Sequence, residues 1–128
     1  MAQSILVADD DDRVRYTIRA RLEQAGYDVH EAATGAAAIQ ALYALPFDLI
    51  ITDILMPDRD GLETIMHARK RTPHVKIIAI SGAADGLFLA NAAGLGAHGV
   101  LAKPFKTDDL LVMVRDLLQP VPPAQVTC

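Results

Sequence analysis

An apolar run, Ile5-Leu6-Val7-Ala8, stops at four consecutive acids, Asp9, Asp10, Asp11 and Asp12. Three later apolar runs each end on one polar residue: "FDLIITD" on Asp53, "VKIIAIS" on Ser81 and "GVLAK" on Lys103. Carboxylates packed together repel one another unless something positive, typically a metal ion, sits among them. Carboxylates, a hydroxyl and an ammonium together suit one task, holding a divalent cation and a phosphoryl group. Two carboxylates with backbone and water oxygens make an octahedral Mg²⁺ site that leaves a position for a phosphate oxygen. The hydroxyl can donate to a second phosphoryl oxygen, and the ammonium can act as a point charge on a third. An attacking carboxylate is anionic and so is its phosphodonor, so such a reaction needs the cation.

Each of these residues also has an ordinary explanation. Acids at the start of a helix suit its dipole, which accounts for Asp11 and Asp12 but poorly for Asp9, directly on an apolar strand end. Asp53 before Pro57 reads equally as a turn carboxylate bonded to its own backbone. Ser81-Gly82 is a common turn pair. Lys103 is the hardest to explain away, because a cation ending an apolar strand needs carboxylates nearby to offset it.

The elements that must position these residues follow from the apolar pattern. Strand-length runs alternate with helix-length amphipathic segments. The first strand is Ser4 to Ala8, and a helix from Asp12 to Ala25 carries Val14, Ile18 and Leu22 on one stripe and stops at Gly26. Tyr27 to Glu31 alternates and reads as an edge strand, and Thr34 opens a helix with Ile39 and Leu42 that ends before Pro46. After the third strand and the turn "MPDRDG", in which Met56 is a packing residue, Leu62, Ile65, Met66 and Arg69 mark a third helix ending before Pro73. A fourth helix is expected within Ala83 to Gly99, anchored by Leu87, Phe88 and Leu95. Phe105 anchors the turn after the fifth strand, and Thr107 caps a last helix with Leu110, Val114, Leu117 and Leu118 facing inward.

Five strands alternating with five helices imply right-handed crossovers, hence a doubly wound α/β domain with a parallel sheet and helices on both faces. In such folds the site lies beyond the carboxyl ends of the strands, and for the order 2-1-3-4-5 between the first and third. Four of the five strand ends carry the polar residues listed above, whereas the edge strand offers only Glu31.

Composition narrows the function. The length of 128 residues fits one domain, and 52% hydrophobic residues with 5% aromatics and no Trp point to an aliphatic core. A formal net charge of −4 gives no basic field for nucleic acid or an anionic membrane. The single cysteine, Cys128, forms no internal disulfide. With neither a signal peptide nor a spanning stretch in evidence, the expected compartment is the cytoplasm. The histidines at 30, 67, 74 and 98 show no metal-ligand spacing. Residues 1–119 are expected to form the domain, and 120–128 a flexible Pro-rich tail.

"ILVADDDD", "DLIITDILMPDRDGLE", "IIAISGA" and "VLAKPF", in this order, resemble the receiver domain of two-component response regulators, from about Ser4 to Leu118. The resemblance implies the flavodoxin-like strand order 2-1-3-4-5. It implies that Asp53 is the phosphoacceptor, taking the group from a phosphohistidine on a histidine kinase or histidine phosphotransfer protein. Asp10, Asp53 and the carbonyl of Leu55 would ligate Mg²⁺, or Mn²⁺ in its place, with Asp9 holding it through water. Ser81 would hydrogen-bond the phosphoryl group, Lys103 would pair with it, and Pro104 matches a position where the family carries a cis peptide. Such a domain is not an enzyme in the ordinary sense; it signals by altered binding to a downstream protein target or an attached output domain.

The chain departs from the family at Val100, which stands where an aromatic switch residue is common; a stiff valine has no ring to bury or expose. Ser81, Gly82, Ala83, Val100 and Pro104 would make up the switch region, and the glycines from 82 to 99 suggest a segment that reorders. Leu55 and Ala83 occupy the two positions that influence hydrolysis of the aspartyl phosphate, and neither can bond an attacking water, so a long-lived phosphoryl group is expected. Two other readings stay open. One is a pseudo-receiver that binds partners without phosphorylation. The other is a small metal-dependent phosphohydrolase of the haloacid-dehalogenase kind, for which Asp9-x-Asp11 speaks and Arg13 does not.

Overall fold

The computed structural model describes residues 2–54, 61–82, 94 and 96–119. Its elements run β1 (Ser4–Ala8), α1 (Asp12–Gln24), β2 (Asp28–Ala32), α2 (Gly35–Ala44), β3 (Leu49–Asp53), α3 (Gly61–Arg71), β4 (Lys76–Gly82), β5 (Gly99–Lys103) and α4 (Thr107–Leu118). The strands form one parallel sheet in the order β2-β1-β3-β4-β5. The doubly wound fold and its strand order are therefore as the sequence implies. The helix expected within Ala83 to Gly99 falls largely outside the described residues, and the tail from 120 to 128 entirely so.

Both faces of the sheet are covered, which is why β1 and β3 are buried at nearly every position. Successive side chains on a strand point to opposite faces. Leu6, Ala8 and Ile50 accordingly pack with Ala38 and Leu42 of α2 and Ile65 and Ala68 of α3. Ile5, Val7, Leu49 and Ile51 pack with Ile18 and Leu22 of α1 and Leu110, Leu111 and Val114 of α4. Two aliphatic layers thus clamp the sheet and hold the strand ends in register.

The helix starts are set by short polar side chains. Asp11 caps α1, its Oδ1 accepting from the amides of Arg13 and Val14 at 2.9 and 3.3 Å, with Asp12 in the first turn. Thr34 caps α2 through the amide of Ala37 at 3.0 Å. Gly26, at φ 96°, turns the chain out of α1 toward β2.

Two local expectations are corrected, the bounds of the second strand and the cap of the last helix, and the inward face of α3 is defined. The second strand runs from Asp28 to Ala32, one residue later than Tyr27 to Glu31, because the Tyr27 amide bonds the carbonyl of Leu22 at the end of α1 while Asp28 pairs with Ser4. Met66 is 57% exposed; the inward face of α3 is Gly61, Thr64, Ile65 and Ala68, and position 66 points about 100° away from Ile65. Thr107 does not cap the last helix: it is the first helical residue, Lys106 occupies the cap without a side-chain hydrogen bond, and Asp108 and Asp109 supply the acids of the first turn. None of the described helices is long and apolar enough to cross a membrane.

Candidate functional site

The parallel register brings the carboxyl ends of β1, β3, β4 and β5 to one edge of the sheet. Asp53 is the last residue of β3, Lys103 the last of β5, Ser81 the next to last of β4, and Asp9 follows directly on β1. Asp53 pairs with Ile80, Ser81 with Ala102 and Lys103 with Gly82, so carboxylate, hydroxyl and ammonium stand on three neighbouring strands, each one residue further along the register than the last. Asp9 and Ser81 are fully buried and Asp53 is 5% exposed, whereas Asp10 is exposed.

The ammonium of Lys103 bridges two of the acids. Its Nζ donates to Asp53 Oδ2 at 2.8 Å and lies 3.0 Å from Asp9 Oδ2. The second contact is an ion pair without hydrogen-bond alignment, which leaves Asp9 Oδ2 buried and unbonded. Asp9 Oδ1 accepts from the amide of Asp11 at 2.9 Å. Burial pushes the Asp9 carboxyl above its ordinary pKa and repulsion from Asp53 adds to this, together outweighing the Asp11 amide and the ammonium. Burial works against the charge on Lys103, but its hydrogen bond to Asp53 and its ion pair with Asp9 prevail and hold its pKa above that of a free lysine.

Carboxylate oxygens of Asp9, Asp10 and Asp53 come within 4.8 Å of one another. This all-oxygen set, with an unbonded buried oxygen on Asp9, fits a hard divalent cation such as Mg²⁺. The histidines lie elsewhere: His67 pairs with Tyr43 at 3.0 Å, and His98 Nδ1 accepts from the Ile77 amide at 3.1 Å. Leu55 and Ala83 are outside the described residues, as are Met56, Leu87, Phe88 and Leu95. Gly82 ends β4 beside Lys103, Val100 is 38% exposed on β5, and the Lys103-Pro104 peptide is cis.

Two further residues shape the site and carry no obvious mark in the sequence. Gly61 opens α3 so close to β3 that a methyl group there would collide with the Asp53 carbonyl oxygen and lie 2.6 Å from Ile54 Cα, and its amide bonds the Ile54 carbonyl at 2.6 Å. The only hint is a glycine following the acids of "DRDG". Arg15 donates from Nη1 to the backbone carbonyl of Asp9 at 2.7 Å. It lies six residues past that acid on an amphipathic helix, where an arginine ordinarily reads as surface.

The response regulator receiver domain model matches residues 5–115. The response regulator receiver protein CpdR of Brucella abortus (strain 2308) is 36% identical over 92% of this chain and 98% of its own length. The sensor kinase CckA of the same strain is 34% identical over 91% of this chain, which spans only 12% of that protein. A CheY-like receiver domain structure from Methanospirillum hungatei JF-1 superposes with a TM-score of 0.88 at 30% identity, covering 92% of this chain and 94% of that one. The acids, hydroxyl and lysine gathered on one sheet edge are thus found in a chain that belongs to the response regulator receiver domain family, the signalling domains of two-component systems.

Proposed function

We propose that Asp53 accepts a phosphoryl group from a phosphohistidine on a histidine kinase or histidine phosphotransfer protein in the cytoplasm. The chain then signals by altered binding to a downstream protein target or attached output domain. An Asp53 carboxylate oxygen forms the new O–P bond as the donor's N–P bond breaks; the electron pair leaves with the imidazole nitrogen, which takes a proton from solvent. Asp10, Asp53 and the Leu55 carbonyl would hold Mg²⁺ or Mn²⁺, with Asp9 reached through water. When bound, the cation would offset the negative charge that carboxylates and phosphoryl oxygens share. Ser81 donates to one phosphoryl oxygen, and Lys103 pairs with another.

The observation that carries this reading is the Lys103 ammonium, 2.8 Å from Asp53 Oδ2 in a carboxylate cluster with an unbonded oxygen. A cleft of about 430 Å³ beside it, lined by Val14 and Ile18 of α1 and by Pro104 and Phe105, offers a partner segment access. Asp11 is committed to its helix cap, which removes the second acid a haloacid-dehalogenase-type phosphohydrolase would need.

The test is mass spectrometry of the intact chain after incubation with Mg²⁺ and phosphoramidate. One phosphoryl group is expected on wild type, none without Mg²⁺ and none on Asp53→Asn. An unlabelled, folded wild type that also fails with a phosphohistidine donor would favour the pseudo-receiver reading, in which the domain signals by binding alone.

A further inference from the structure

The carboxylate of Asp10 makes no hydrogen bond or ion pair among the described residues, and yet it stands within 4.8 Å of those of Asp9 and Asp53. Its place must come from the backbone. The peptide joining Asp9 to Asp10 is held through its carbonyl, which accepts from Arg15 Nη1 at 2.7 Å, while the Asp9 amide, in the peptide before it, donates to the Ala32 carbonyl at 3.1 Å. Because that carbonyl belongs to the same peptide plane as the Asp10 nitrogen, its orientation sets the direction in which Asp10 leaves the strand.

Arg15 is itself held at every edge of its planar fork. Nε donates to Glu31 Oε1 at 2.9 Å and Nη2 to Asp12 Oδ1 at 2.6 Å, with the side chain 13% exposed. Glu31 lies on the edge strand β2 and also accepts from Arg19 Nη1 at 2.6 Å. The guanidinium therefore ties the acid turn at once to α1 and to the end of β2, a set of directions that a lysine could not satisfy together.

We infer that Arg15 is a positioning residue for the acid pair, fixing the Asp9–Asp10 peptide so that Asp10 faces Asp53 at the spacing a divalent cation needs. The inference rests on the metal reading of the site. It assigns a role to a side chain that touches neither phosphoryl group nor cation. Groups that orient metal ligands commonly set affinity by about 10- to 100-fold.

The experiment compares wild type, Arg15→Ala, Arg15→Lys and Arg19→Ala by calorimetric Mg²⁺ titration, urea unfolding and metal-free amide NMR. Arg19→Ala removes the same charge and a bond to the same Glu31, but no contact with Asp9. Mg²⁺ binding about tenfold weaker in Arg15→Ala, little restored by lysine, is expected, against less than a twofold change in Arg19→Ala. The Asp10 amide signal should shift in metal-free Arg15→Ala, and millimolar guanidinium should return both signal and affinity toward wild type. Equal Mg²⁺ affinity in wild type and Arg15→Ala, or equal losses in the two alanine variants, would overturn the inference. A wild type that binds no Mg²⁺ would sink the metal reading, and an Asp10 amide unmoved in Arg15→Ala would then sink the positioning role as well.

Discussion

Asp9 is a carboxylate that the fold holds at a cost. It is fully buried, one oxygen takes an amide from Asp11, and the other meets the Lys103 ammonium only as an ion pair. Its raised pKa means that, with every partner counted, the folded chain binds the proton more tightly than the unfolded chain does. The cost is therefore fully present above the raised pKa and disappears as pH falls through it into the ordinary carboxylate range. Asp9→Asn, which keeps the shape and removes the charge, should unfold at higher urea than wild type at pH 7 in divalent-free buffer, the difference closing toward acid pH. A variant less stable at pH 7 would show that the attraction to Lys103 outweighs burial. The acids, the serine and the lysine were legible in the sequence because each is a polar interruption of an apolar run. Arg15 was not, since its contact with the Asp9 carbonyl depends on how α1 is rotated against the sheet.

The β3 end and the start of α3 meet at Gly61, where the helix comes as near to Asp53 as a bare backbone allows. Gly61→Ala must push the helix or β3 aside. A loss of about 1–3 kcal/mol in urea unfolding is expected, the usual range for overpacking. Slower labelling of Asp53 by phosphoramidate should accompany it, whereas labelling at the wild-type rate would mean that the helix alone had moved. Strands were the easiest elements to read, because β1, β3 and β4 are buried on both faces and appear as unbroken aliphatic runs. Helix ends were harder. Thr34 does cap α2 as its type suggests, but Thr107 sits one residue inside α4, since a threonine can serve either as cap or as first helical residue. Met66 helps to mark α3 in the sequence, and the 3.6-residue repeat turns it outward, away from Ile65.

Across the described residues, folding forces like charges together at the sheet edge with the ammonium of Lys103 between them. A ligand that binds only the native arrangement stabilises it in proportion to the logarithm of its excess over Kd. Mg²⁺ should therefore raise the urea midpoint, by a free energy of about 2.7 kcal/mol at a hundredfold excess over its Kd, and chelation with EDTA should reverse the gain. An unchanged midpoint at millimolar Mg²⁺ would show that the native acids hold no cation. The doubly wound architecture could be read from the alternation of strand and helix patterns. The site's internal distances could not, because they arise between residues far apart in the chain. Asp9 follows β1, and Asp53, Ser81 and Lys103 lie on β3, β4 and β5, so no short segment of the chain contains them all. On the ribosome, then, Asp53 is made well before Lys103, and the two can meet only once β5 has emerged and closed the sheet.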